Sequence, residues 1–421
     1  MFWSVRCAED EWHEKEAMHT SYSRDLVFVR EADLPLEVVI LLVAGMAFLI
    51  AGILLFPISS GVLPYYENGL YGLFLVIFAL QTITLGKTPF GDARSSTRLL
   101  ATGVVIAALG IVTCFIPTFN QIPRVLLFLS FGPGGLLLLL QMCFAKDKLP
   151  LWIRFGGVFR HLIVGCSLAY LFSMLAAVLI WKHDLLSTPM TAAVILIYGM
   201  VIVYLAIVLR TIYRLYPTEG RPGEDETALS VDHSMILLMA VFMLLLGVLL
   251  IPVSLGSLPF SGSAQLGLLM VLFAVQMLAS GSTPLGPFPR TWLMVAFGLF
   301  FAALGVVSCI IPEILVAPLT VLVGVLNILA GLTALAKIGV HLLRRADKPQ
   351  GRMLPVLVRL FVAQLAMNLL TILFGIAMLI PHLIPGLVTG VILAANGCVL
   401  LYLLRILFGL DAMQRSTTTA V

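Results

Sequence analysis

Two glutamines are the first residues that could do chemistry. Gln81 lies in FALQTITLGKTPFG (78–91) and Gln276 in its near echo FAVQMLASGSTPLG (273–286), 195 residues further on, each deep in an apolar run. An uncharged amide at membrane depth has two uses. The pair can face each other and bind a polar ligand, or each can hydrogen-bond to a neighbouring helix as packing glue at about 0.6–2 kcal/mol. Gln141, Asn327, Gln364, Asn368 and Asn396 take the packing reading. Cys114 and Cys309 share the 195-residue spacing, one turn from the outer surface. They offer either a disulfide in an oxidising compartment or two packed thiols. Thr88–Pro89 and Thr283–Pro284, with Gly91 and Gly286 behind them, read as turn chemistry or as a docking loop. SFGPGG (130–135) is read as a local kink, since its counterpart VLNILA (325–330) has no break.

The usual catalytic constellations are missing. No CxxC, HExxH or Ser/His/Asp pattern occurs, and no paired carboxylates. Every other ionisable group sits at a helix end. Glu67, Asp184 and Glu313 lie at outer ends, and Asp92 and Asp147 in inner turns. Lys182, His183 and His382 lie at the outer rim, and His161, His233 and His341 at inner ends. Ion-coupled transport and haem binding need such groups inside the membrane. The expectation is a protein that is not an enzyme, with no cofactor and no metal.

The elements that must carry these residues follow from composition. The chain has 421 residues, 61% hydrophobic and only 11% charged, against about 25% charged in a soluble domain. Twelve apolar runs are long enough to cross a bilayer as helices, roughly at 36–57, 68–86, 97–117, 123–144, 161–181, 189–212, 233–254, 263–281, 291–311, 315–338, 357–380 and 385–408. Of 25 Lys and Arg, 23 fall in the tails and the even-numbered loops, leaving Arg124 and Lys182 in the odd ones. Positive charge stays on the cytoplasmic side, so both termini are expected there. The polar start, CAEDEWHEKEAMHTSYSRD, reads as a cytoplasmic tail, with Met18 as an alternative start.

The 195-residue offset holds without a gap from about Gly52 to Pro123. Gly52, Pro57, Gly110 and Pro117 match Gly247, Pro252, Gly305 and Pro312. Two homologous six-helix halves of the same orientation should be related by a pseudo-two-fold axis along the membrane normal. The expected organisation is a tail (1–35), a first repeat (36–212), a linker (213–232), a second repeat (233–408) and a C-terminal tail (409–421). Beneath it lies a finer plan. Odd helices carry small residues seven apart, as at Gly103/Gly110 and Gly298/Gly305, then an outer proline. Glycines two turns apart let helices approach closely, and proline is expected to end the helix. The elementary unit reads as a two-helix hairpin joined by the outer turn.

LIAGILLFPISSGVLP, NGLYGLFLVIFALQTITLG and RLLATGVVIAALGIVTCFIP in the first half, with LLGVLLIPVSLGSLP and AQLGLLMVLFAVQMLASG in the second, resemble the HdeD family of bacterial inner-membrane acid-resistance proteins. Those are built from short two-helix repeats of a domain of unknown function. The resemblance implies an all-α inner-membrane protein in acid or envelope stress tolerance, or an accessory to a membrane complex, with no catalytic residues to carry over. This chain departs from the family in being a fused tandem with a long polar tail. Its partners would be the lipid bilayer and a membrane protein or second copy, with no nucleic acid. The alternative is a permease for an uncharged or weakly polar solute, with a major-facilitator-like 6+6 layout. Against that family stand the hairpin units and the failure of GKTPFGDARSSTR to meet its loop signature. A wet cavity between the halves lined by Gln81 and Gln276 would favour the permease. A dry, glycine-packed contact would favour the first reading.

Overall fold

The computed structural model describes residues 32, 34–92, 96–117, 121–145, 148–182, 185–216, 231–283, 286–287, 289–346, 355–380 and 385–418. Most of the polar N-terminal tail with Met18, residues 217–230 of the linker, and Asp147, His183, Asp184, Pro284, Pro381 and His382 lie outside them.

The described chain is almost entirely helical, as a bilayer demands of a backbone that must satisfy its own hydrogen bonds. The first unit comprises α1 (Leu36–Ser59), α2 (Glu67–Leu85), α3 (Thr97–Phe115), α4 (Gln121–Phe144), the short α5 (Leu149–Phe155), α6 (Val158–Trp181) and α7 (Thr188–Leu215). The second comprises α8 (Val231–Ser254), α9 (Gly262–Ser280), α10 (Trp292–Ile310), α11 (Val316–Ala346), α12 (Pro355–Leu379) and α13 (Gly386–Thr418). All but α5 contain a stretch long and apolar enough to cross a membrane. The chain is a multi-pass, all-α membrane protein. Outward-facing Ile53, Val105, Leu171, Val321 and Val391 are the surface such a protein turns to lipid.

Local sequence explains the helix ends. Ser96, Ser261 and Thr291 cap α3, α9 and α10, each side-chain oxygen accepting from the backbone N–H three residues on. Gly86 and Gly281 end α2 and α9 in the left-handed region. Prolines behave differently from expectation at two of four positions. Pro117 and Pro312 follow α3 and α10, but Pro57 and Pro252 lie inside the last turns of α1 and α8. The stop there is a glycine. Gly61 (φ 74°) and Gly256 (φ 73°) sit where the N–H groups of Gly61 and Val62 reach back to the carbonyls of Ile58 and Pro57, and those of Gly256 and Ser257 to Val253 and Pro252. This is the paired closure of a left-handed helix cap.

The closest partners are α2 with α3, α4 with α6, and α1 with α7. In the second unit they are α9 with α10, α11 with α12, and α8 with α13. Of the expected hairpins across the outer turns, the third of each unit packs, α6 against α7 and α12 against α13, whereas the first two are corrected. Helices α1 and α2 touch little, as do α3 and α4, and the tight pairs are shifted by one helix, so that the first and last helices of each unit close on each other. Glycine faces set these pairs. A Cβ on Gly72 would stand 2.5 Å from the Gly110 carbonyl oxygen, and one on Gly267 2.5 Å from that of Gly305. A Cβ on Gly52 would lie 2.7 Å from the backbone of Leu196, and one on Gly247 2.3 Å from that of Ala394. Only hydrogen fits at such separations.

Contacts between the units come from α1, α2 and α3 against α8, α9 and α10, and they recur at the same offset. Tyr66 N–H donates to the Ile310 carbonyl at 2.9 Å, and Ser261 N–H to that of Phe115 at 3.0 Å. Beside this seam each unit carries a matching internal bond, Asn68 Nδ2 donating to Ile116 O at 3.3 Å and Ser263 Oγ to Ile311 O at 3.3 Å. Cys114 and Cys309 are free, buried thiols, both pointing at the Ala264 carbonyl, at 3.8 and 3.7 Å. This contact is closed: Phe115, Ala264, Cys114 and Cys309 are fully buried.

Candidate functional site

Two cavities lie inside the first unit, lined by its residues alone. They are stacked along one bundle. The upper one, about 230 Å³, lies toward the proline-bearing ends, between the last turns of α1 and α6 and the first turns of α2 and α7. Glu67, Tyr65, Tyr71, Thr188 and Thr191 supply its polar groups. The lower one, about 160 Å³, lies toward the ends with the basic turns. Gln81, Thr88, Ser130, Tyr170 and Ser173 supply its polar groups.

Phe48, Phe74 and Phe131 line both cavities and form the partition between them. Phe48 stacks on Phe74 with centroids 4.2 Å apart. Phe131 meets Phe48, Phe74 and Phe78 edge-on at 5.9, 6.0 and 5.1 Å, and Tyr198 lies 4.5 Å from Phe48. Such offset and edge-on pairs are the favourable ring geometries. Ser173 Oγ donates to Phe131 O at 2.7 Å, holding α6 to α4 where a Cβ on Gly135 would come within 3.0 Å of that hydroxyl.

A β-turn floors the lower cavity. Strand β1 (Lys87–Thr88) pairs antiparallel with β2 (Gly91–Asp92), Thr88 opposite Gly91. Thr88 Oγ1 donates to Gly91 O at 2.8 Å and accepts from Phe90 N–H at 3.3 Å. Thr88 and Pro89 line the cavity. The turn is tied at two sides. Lys87 Nζ lies 2.5 Å from Glu37 Oε1, and Tyr213 Oη donates to Glu37 Oε2 at 2.9 Å. On the other side it rests on α4, where a Cβ on Gly134 would stand 2.7 Å from Pro89 O. The SFGPGG segment thus stays helical through Pro133 and serves as a seat for the turn. The second unit has the same short ladder, β3 (Ser282–Thr283) with β4 (Gly286–Pro287).

Gln81 lines the lower cavity together with residues of the first unit alone, and Gln276 is not among them. Gln276 is half-buried on α9, its backbone carbonyl accepting from Ser280 Oγ at 3.0 Å. Gly52, Gly110, Gly247 and Gly305 are packing positions, as expected. The partition and the upper cavity are what sequence reasoning missed. Its attention went to positions where the repeats agree. Several cavity residues are positions where they differ: at the 195-residue offset Phe48, Glu67, Tyr71, Phe74 and Phe131 face Met243, Gly262, Leu266, Leu269 and Leu326. An aromatic or charge present in only one repeat was the available signal.

No family model, curated protein or solved structure matches the chain.

Proposed function

We propose that this chain is a permease-type membrane protein whose first unit holds a small, weakly polar solute and passes it between the two cavities. The observation behind this reading is the pair of cavities on one bundle, separated by a few ring side chains. A solute crosses such a partition when rings change rotamer, a motion far cheaper than separating glycine-packed helices. Both cavities are smaller than the roughly 300–1,000 Å³ of drug-sized pockets, so the solute is small. We place the basic turns in the cytoplasm of a bacterial inner membrane, with both termini on that side, and attribute the recurring contacts to duplication of a six-helix ancestor.

Stopped-flow swelling of proteoliposomes in a panel of small uncharged solutes tests the reading. Ala176 lines the upper cavity and is buried, so Ala176→Trp fills it. The wild type is expected to swell faster than empty liposomes for at least one solute, and Ala176→Trp to slow that by about tenfold, the equivalent of about 1.4 kcal/mol. Equal rates for wild-type and empty liposomes across the panel would end the proposal.

The closed contact between the units favours a second reading, a stress-related scaffold of HdeD-like build. Survival of a deletion strain after acid shock tests it. A Gln81→Leu/Gln276→Leu form restores survival fully if the protein is a scaffold, and fails if the Gln81 cavity is used.

A further inference from the structure

The lower cavity carries a finer assignment, which rests on the small-solute reading above. Its space of about 160 Å³ is lined by α1, α2, α4, α6, α7 and the Thr88–Pro89 turn, and no Asp, Glu, Lys, Arg or His is among the lining residues. An ion would give up its water there with no countercharge on the wall, which is costly. A neutral solute is what the space admits. Several polar groups in and around it are already committed. Thr88 Oγ1 and Ser173 Oγ donate to Gly91 O and Phe131 O. Thr82 and Thr84, beside Gln81 on α2, donate to the carbonyls of Phe78 and Leu80 on their own helix. By contrast, among the described residues the Gln81 amide and the Ser130 hydroxyl have no side-chain hydrogen bond within the protein. The repeat plan does not require that hydroxyl, because Val325 occupies the corresponding position in the second unit.

A glutamine amide presents N–H donors and a carbonyl acceptor side by side. Facing walls that are otherwise mostly apolar, both are costly to leave unmet. The group that meets the two at once is another amide, which presents the same pair in reverse. An alcohol has one oxygen and meets one side at a time, and a ketone has no donor. A primary amide so paired keeps a second N–H, for which the Ser130 hydroxyl oxygen is an acceptor on the wall of the same space. The rings of Phe48, Phe74 and Phe131 suit an alkyl tail. At about 30 Å³ for each water the space holds about five, which limits the guest to a few carbons. We infer that the lower cavity binds a small aliphatic carboxamide, its amide paired with that of Gln81, its second N–H on Ser130 and its tail against the rings of the partition.

Saturation-transfer NMR titration of the full-length protein in lipid nanodiscs, with empty nanodiscs subtracted, decides it with three probes of one shape. These are propionamide, butanone, which has methyl in place of the amide nitrogen, and propionate, which has a charged oxygen there. Propionamide is expected to bind at least about tenfold more tightly than either, a difference of about 1.4 kcal/mol. Gln81→Leu abolishes that preference, and Ser130→Ala weakens it severalfold. Equal affinities in the wild type, an absence of saturable propionamide binding, or a preference left intact by Gln81→Leu overturns the assignment, and one left intact by Ser130→Ala overturns the second contact. The wild-type comparison stands whether or not the variants fold. The swelling assay separates the two failures. Swelling without a propionamide preference leaves the pathway standing and removes the amide, whereas propionamide binding without swelling leaves the site and removes the passage.

Discussion

Gly69→Ala will loosen the contact between the two units. A Cβ at this position would lie 1.9 Å from the Cys309 carbonyl oxygen and 2.9 Å from its carbon, with the Tyr66 ring at 2.8 Å. Two of these three neighbours are backbone of the opposite unit, so no rotamer change relieves the clash. The surroundings are pinned as well. Tyr66 to Ile310, Asn68 to Ile116 and Ser261 to Phe115 are hydrogen bonds that cross or flank the same spot. Overpacking a filled core costs about 1–3 kcal/mol, occasionally more. A fall in Tm of about 1–3 °C is expected from that cost in a chain of this size. Gly262→Ala is the control, because nothing lies within 4 Å of its Cβ position. Thermal unfolding followed by size-exclusion chromatography of the detergent-solubilised protein checks both. Equal Tm values for the two variants would mean that the units do not meet at Gly69. The symmetric residue, Ala264, already carries a Cβ and is fully buried, so the contact is tighter on one side of the pseudo-axis than on the other.

Gly134→Leu will open the lower cavity to the basic face. The second unit already has leucine here, at Leu329, where its side chain is exposed. In the first unit the new Cβ would meet Pro89 O at 2.7 Å, and a backbone oxygen in a two-residue ladder can retreat only with the whole turn. What resists is the tie to Glu37. Lys87 is 38% exposed, and an ion pair of that exposure is worth at most about 1 kcal/mol, less than the steric cost. A cysteine placed at Ser130, in a chain whose native cysteines are replaced, reports the change through its rate of labelling by a membrane-impermeant maleimide. The rate should rise by about tenfold in Gly134→Leu and by less in Lys87→Ala, which cuts the tie but leaves the seat. An unchanged rate in Gly134→Leu would show that the turn does not close the cavity.

Much of the architecture was legible because it depends on one-dimensional quantities. Run length and hydropathy determine the spans, since a helix needs about 20 apolar residues to cross. The glycine spacing announced that helices approach closely, and the 195-residue echo announced matching contacts. Which helices approach was not legible. Gly72 and Gly110 lie on helices joined by an inner turn, Gly52 and Leu196 on the first and last helices of a unit. A short connection makes neighbours in sequence without making them the tightest partners in space. The prolines at 57 and 252 misled for a related reason: a proline within the last turn forfeits one hydrogen bond, and the helix runs on until glycine supplies the left-handed residue of the cap.

By itself, then, the sequence determined a twelve-span, all-helical membrane protein with small residues on its contact faces, because lipid and the hydrogen-bonding needs of the backbone leave a chain of this composition no other solution. Only the tertiary structure decided where space is left. A cavity is a property of side chains from several helices at once. Phe48, Glu67, Phe131 and Ser173 are far apart in sequence and have no shared spacing, and they converge because α1, α2, α4 and α6 surround a volume that the aromatic and polar residues of the first unit line without filling. The same geometry places Gln81 on the wall of that volume, which its spacing to Gln276 did not reveal.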